Sequence, residues 1–320
     1  MPRPAATTEL ETMTPPRHVL IGGLQRSGTT LLARILAQHS DVSAFSDTGF
    51  VQDEGQYLQS VFPTSYAHGG PGRFAFDPAA HFTETSPLLT EENKSTLQRE
   101  WGSYWNLEKP VLVEKSPSHI LKSRFLNEVF PDSYFIFMTR HPVAVSIATQ
   151  KWSGTSIFSL IDHWLVAHEI LREDLKFLKR YAIIPYERLA HDPEPIIRNL
   201  EKALSVKKSP YKFQLDRRAN DNYFKLWNEN FHPQVSRDIP ILNKGKVASP
   251  PGDKPLSSRA MRYLVPVPRQ TSRHFTTPSH MLLTNPLFES QDAIARFGAR
   301  IKTFGYSLED FSLCPRMVAK

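Results

Sequence analysis

Three cations and one glycine-bearing loop are spaced along this chain in a way that suits the capture of an anion with at least two charged groups. The loop runs Gly23-Leu24-Gln25-Arg26-Ser27-Gly28-Thr29-Thr30 and follows the apolar run Val19-Leu20-Ile21. A strand, a glycine-bearing loop and a helix start together present backbone N–H groups to an anion. The spacing Gly23-x-x-x-x-Gly28-Thr29-Thr30 fits the phosphate-loop pattern G-x-x-x-x-G-K-[ST] except that Thr29 stands in place of the lysine. That lysine serves the β- and γ-phosphates of a nucleoside triphosphate. Here the loop carries its charge early, at Arg26, so the tail of ATP or GTP is not the expected anion. Three more segments start where short apolar runs stop: Lys115-Ser116 after Val111–Glu114, Arg140-His141 after Tyr134–Met138, and Tyr186-Glu187 after Ala182–Ile184. Each cation alone would pass as a solvated strand-end charge. Their convergence carries the inference.

The elements that must position these residues alternate. Four short apolar strands are separated by helical patterns at Thr29–His39, Thr90–Trp105, Ile120–Phe130, Pro142–Trp152, Ser156–Leu178 and Glu194–Leu204. Such alternation predicts an α/β fold, a parallel sheet flanked by helices, with ligands beyond the carboxyl ends of the strands. All four chemical segments lie at those ends. Between them, Asp41–Phe62 reads as a short extended piece, an acidic turn and an amphipathic stretch from Gly55. The stretch Pro63–Pro87, rich in Gly, Pro, His and aromatics, reads as a long surface insertion able to cap a site. After Ser205 the pattern fades. Asn222–Trp227 suggests a helical turn, Pro233–Ser279 is irregular and basic, and Ser290–Phe304 is a last helix closed by Gly305.

Composition narrows the class. The 320 residues are 40% hydrophobic and 22% charged, ordinary for a globular chain with a sizeable core. A net charge of +7 favours anionic partners, but no dense Lys/Arg tract or nucleic-acid module accompanies it. Nucleic acid is therefore not expected. The twelve histidines are scattered and no metal-ligand spacing appears, so no metal is expected. One cysteine, Cys314, suits a reducing, cytoplasmic setting. No apolar run reaches the roughly 20 residues of a membrane span. Residues 1–16 lack an apolar signal region and read as a disordered tail. The remainder, 17–320, reads as one domain, irregular over about 206–285.

Taken together, the segments QRSGTTLL, VEKSPS, FIFMTRHPVAVS and YERLAHDPEPIIRNL resemble the sulfotransferase family. That family moves a sulfonate from 3′-phosphoadenosine 5′-phosphosulfate (PAPS) to an acceptor hydroxyl or amine. The loop is similar to the R-S-G-T-T form of tyrosylprotein and bacterial-type members. The likeness covers Val19 to about Leu204 and implies a three-layer, P-loop-like sulfotransferase fold. It also implies that neither a loop lysine nor magnesium is needed.

The resemblance assigns roles by position. The backbone from Arg26 to Thr30 with the hydroxyls of Ser27, Thr29 and Thr30 would cradle the 5′-phosphosulfate around Gly28. Arg26 would stabilise charge on the departing bridging oxygen. Lys115 would lie near the sulfonate, Arg140 would pair with the 3′-phosphate, and Tyr186 would contact the adenine. The serine usual eight residues after the 3′-phosphate arginine is Ala148 here. Thr149, one helical step away, and Ser146, two steps away, are its substitutes. The acceptor proton needs a base. Tyrosylprotein members use a glutamate soon after the loop helix, and cytosolic small-molecule members use a histidine. Asp47, Asp53 and Glu54 occupy the matching region, and the context QDEGQYLQ makes Glu54 the choice; His68, His81 and His119 are the other candidates. Two rivals stand beside this reading, a nucleotide kinase with a degenerate loop and a non-catalytic nucleotide- or glycan-binding module. The acceptor is open among protein tyrosine, carbohydrate and small molecules, and oligomeric state is not encoded legibly.

Overall fold

A computed structural model describes residues 17–231 and 286–320. The predicted tail and the irregular stretch Pro233–Ser279 lie outside these described residues. Strand β1 (His18–Gly23) leads through the glycine loop into α1 (Thr29–Leu36), and β2 (Val42–Ala44) follows. A long excursion then reaches α2 (Glu91–Gly102), β3 (Val111–Lys115), α3 (Ser123–Val129) and β4 (Tyr134–Thr139). Next come α4 (Pro142–Ser153), α5 (Ile157–Asp174), β5 (Tyr181–Pro185), α6 (Tyr186–His191) and α7 (Pro193–Ala203). The described chain ends with α8 (Asp221–Phe231), α9 (Pro286–Lys302) and β6 (Val318–Ala319).

The six strands lie in the order β2-β3-β1-β4-β5-β6. The first five are parallel, and β6 pairs antiparallel with β5, so the sheet is mixed at one edge. The apolar runs are continuous because both faces are covered. Leu20, Leu112, Phe135 and Phe137 pack with α2, α3, α5, α8 and α9 on one face. Val19, Ile21, Val113, Ile136, Met138 and Ile184 pack with α1, α6 and α7 on the other. This is the expected three-layer α/β arrangement. Central β1 has β3 on one side and β4 on the other, which opens a crevice at its carboxyl end. Among the described residues no helix is long and apolar enough to cross a membrane.

Helix starts follow the sequence signals. Thr90 caps α2 by accepting the Asn93 amide at 3.2 Å, Ser156 caps α5 through Ser159 at 3.1 Å, and Pro142 opens α4. The extended piece expected after Asp41 is present as the edge strand β2. Several expectations need correction. The predicted helix Ile120–Phe130 divides into a 3-10 turn, Pro117–Leu121, and α3, with Lys122 out of helical geometry between them. Asn222–Trp227 is the middle of the full helix α8, which buries Trp227. Pro63–Pro87 is not a surface insertion. Three 3-10 turns run through it, and it buries Phe74, Ala80 and Phe82 in the core on the α5 side. Aromatics without a period drive that burial, so area rather than helix or strand repetition holds the segment down.

Candidate active site

The carboxyl ends of β1, β3, β4 and β5 gather the predicted segments. Residue Ile21 pairs with Lys115 on one side, and Gly23 with Met138 on the other. The glycine loop turns tightly: the Ser27 amide and hydroxyl both donate to the Leu24 carbonyl, at 3.1 and 2.5 Å. Gly28, at φ 99°, is the N-cap of α1, and no side chain caps that end. The first N–H groups of α1 are therefore left without a side-chain acceptor, at the positive end of the helix dipole. A Cβ at Gly28 would lie 2.7 Å from Cδ2 of Tyr186, so the ring closes on the loop where only glycine fits. Ser27 and Thr29 are 1% and 4% exposed, which makes their side chains inner struts of the loop; Thr30 is half-buried and Arg26 exposed. The Arg26 guanidinium stands 5.2 Å from the ring centre of Trp152 at the end of α4.

Arg140 comes off β4 and is buried. Its Nε donates to Asn220 Oδ1 at 2.8 Å, and its terminal nitrogens donate to the carbonyls of Arg26 at 2.9 Å and Ala219 at 3.2 Å. The rings of Tyr186 and Tyr223 lie 4.2 and 5.5 Å from the guanidinium carbon. Burial works against its charge, pulling its pKa below the usual arginine range. The bond to the Arg26 carbonyl ties the end of β4 to the loop and supports the left-handed backbone of Arg26, φ 71°. Tyr186 begins α6 rather than hanging free at a strand end, and it is wedged between Gly28 and Arg140.

Across the crevice, Glu54 and Lys115 meet, with Nζ 3.3 Å from Oε1. Lys115 also donates to the Gln52 carbonyl at 2.9 Å, and Gln56 donates to Glu54 Oε2 at 2.5 Å. The segment is fastened to the end of β3. The Gly55 amide donates to Glu114 Oε1 at 2.7 Å, and the Gln56 amide to Ser116 Oγ at 2.9 Å. A Cβ on Gly55 would fall 2.5 Å from that Glu114 oxygen. These bonds explain why the amphipathic stretch predicted from Gly55 shortens to a 3-10 turn, Gly55–Tyr57. Burial first, opposed by Lys115 and the Gln56 bond, raises the Glu54 pKa above the usual carboxylate value. A carboxylate moved toward neutrality is a better proton acceptor at ordinary pH.

The other base candidates are engaged elsewhere. His119 is fully buried against Glu114, His68 bonds Asp77 at 2.7 Å, and His81 bonds Asp174 at 2.9 Å. Asp53 caps Thr48 through its amide and hydroxyl at 2.9 and 2.8 Å, and Asp47 is exposed. The hydroxyls of Ser146 and Thr149 are buried without partners and line a cleft of about 10 Å³ beside Gln25 and His163. Glu114, Gln56 and Asn220 are additions to the predicted set, and Glu187, placed at the strand end by the sequence, gains its partners here. Glu114 carried a signal, a carboxylate inside a buried strand; Asn220 carried none. Among the described residues no three or more His, Cys, Asp or Glu side chains are grouped as metal ligands.

A sequence profile described as the sulfotransferase family matches residues 16–210, more than half of the chain. A protein-tyrosine sulfotransferase of Drosophila melanogaster is 26% identical over 211 residues, 59% of this chain and 38% of that protein. An uncharacterized protein of Aquifex aeolicus is 26% identical over 195 residues, 58% of this chain and 25% of that protein. The chain therefore spans less than half the length of these curated relatives. The sulfotransferase domain of the Synechococcus PCC 7002 olefin synthase superposes with a TM-score of 0.44 at 17% identity, over 72% of this chain and 92% of that domain.

Proposed function

The chain belongs to the sulfotransferase family, and from that premise we propose that it transfers a sulfonate from PAPS to an acceptor hydroxyl. The observation that carries the reading is Arg140, a buried guanidinium whose hydrogen-bond partners are all neutral oxygens. A buried charge without a counter-ion is costly, and an anionic ligand offsets that cost. The residues fit such a donor in three respects. The α1 N-terminus is uncapped, the loop is glycine where Tyr186 closes on it, and Arg26 is exposed at the loop tip.

PAPS supplies the sulfonate and leaves as 3′,5′-ADP. The backbone of residues 26–30 and the Thr30 hydroxyl hold the 5′ end, with Ser27 and Thr29 bracing the loop from within. Arg140 takes the 3′-phosphate. Arg26 places positive charge where the bridging oxygen gains negative charge, a preorganised electrostatic contribution. Glu54 takes the acceptor proton, and Lys115, bonded to it, holds its carboxylate and adds a second positive group. Residues 17–320 act as one domain in this reading.

The test is incubation with PAPS labelled in its sulfonate and fractionated cell extract. Transfer of label to an acceptor, abolished by Arg26→Ala, supports the proposal. Binding of 3′,5′-ADP with no transfer to any fraction would favour a non-catalytic nucleotide-binding module.

A further inference from the structure

The segment that closes over Arg140 lies beyond residues 16–210, the part matched by the family profile. Asn220, just before α8, is 7% exposed and uses both ends of its amide. Its Oδ1 accepts from Arg140 Nε at 2.8 Å, and its Nδ2 donates to Glu187 Oε1 at 2.8 Å. Glu187 is further occupied by the His141 amide at 2.9 Å and the Tyr306 hydroxyl at 3.1 Å. A carboxylate therefore sits one side chain behind the guanidinium, with a neutral amide between them. Arg140 has five N–H donors, and three are used by Asn220, Ala219 and Arg26.

We propose that Asn220 is a specificity-determining residue that holds Arg140 by a neutral oxygen, keeping the guanidinium uncompensated for the 3′-phosphate of the nucleotide. The inference rests on the placement of that phosphate at Arg140 in the function proposed above. The hydrogen bond that Arg140 donates to Asn220 fixes the orientation of the guanidinium without satisfying its charge. A carboxylate at the same place would fix it equally well and neutralise it. The incoming phosphate would then have to compete with an ion pair already made. Glu187 could have served as that counter-ion; the Asn220 amide stands in its way.

Asn220→Asp, nearly isosteric, tests this in the full chain by calorimetric titration with 3′,5′-ADP and with 5′-AMP. The 3′,5′-ADP affinity should fall about tenfold or more, while 5′-AMP stays within about twofold, a tenfold change being about 1.4 kcal/mol. Asn220→Ala, which removes the tether without adding charge, should also lower the ratio of the two affinities, by a smaller factor. A ratio unchanged in both variants, or an equal loss for both nucleotides, overturns the role of Asn220. A wild-type chain that binds the two nucleotides equally overturns instead the placement of the 3′-phosphate at Arg140.

Discussion

Glu54→Gln separates the chemistry of the crevice from its stability. Glu54 and Lys115 are 7% and 4% exposed and face each other at 3.3 Å. Removing one charge of a buried pair costs about 3–5 kcal/mol, because the other is left uncompensated. Lys115 keeps its 2.9 Å bond to the Gln52 carbonyl, which lowers the expected loss to about 2–3 kcal/mol. Adding Lys115→Met should restore most of that stability, since a buried pair replaced by apolar volume is often neutral. Turnover should behave differently. Loss of a general base costs about 10²- to 10⁴-fold, and the double variant should be no faster than Glu54→Gln alone. Urea denaturation reads the first quantity, and initial rates with labelled PAPS the second, at unchanged 3′,5′-ADP affinity. A Glu54→Gln enzyme with wild-type turnover would refute the assignment of the base, as would a double variant that regains activity along with stability.

Other perturbations have equally direct readouts. Arg140→Ala should abolish measurable 3′,5′-ADP binding in calorimetry yet lower stability by less than about 2 kcal/mol, since it deletes an uncompensated charge along with three hydrogen bonds. Gly28→Ala places a methyl group against Tyr186 at φ 99°; the strain of about 1–2 kcal/mol should appear as lower thermal stability together with weaker nucleotide binding. Lys122 is fully buried between Phe62 and Phe82, and burial pulls its pKa down to about 7. Its folded pKa lies below its unfolded value, so the unfolded chain binds more protons between those values and stability rises with pH above about 7. Lys122→Met should be more stable than wild type at pH 7 and lose that slope in urea titrations at pH 7 and 9.5; equal slopes would contradict this.

The sheet was legible because its strands are buried on both faces. Val19–Ile21, Val111–Val113 and Tyr134–Met138 read as unbroken apolar runs for that reason. Once the strands are parallel, Lys115, Arg140 and Tyr186 must share an edge with the loop, so most of the site followed from the fold. Its detail did not. Tyr186 reads from sequence as a ligand contact, and nothing in the sequence shows that its ring also braces Gly28 beneath Arg140. The bonds of Glu114 to Gly55 and of Asn220 to Arg140 join residues 59 and 80 positions apart. Single polar contacts over such distances leave no period in a sequence. The stretch Pro63–Pro87 is illegible for a related reason: Phe74 and Phe82 are core residues held in irregular chain, which has no repeat to read.

The measurement closest to the central claim is a calorimetric comparison of 3′,5′-ADP and ATP with all divalent metal chelated. A donor site built from an uncapped helix start, Arg26 and Arg140, and lacking the loop lysine at Thr29, should bind 3′,5′-ADP tightly under those conditions and ATP not at all. Binding of ATP that requires magnesium, with no heat from 3′,5′-ADP, would contradict the account and return the loop to the nucleotide kinases.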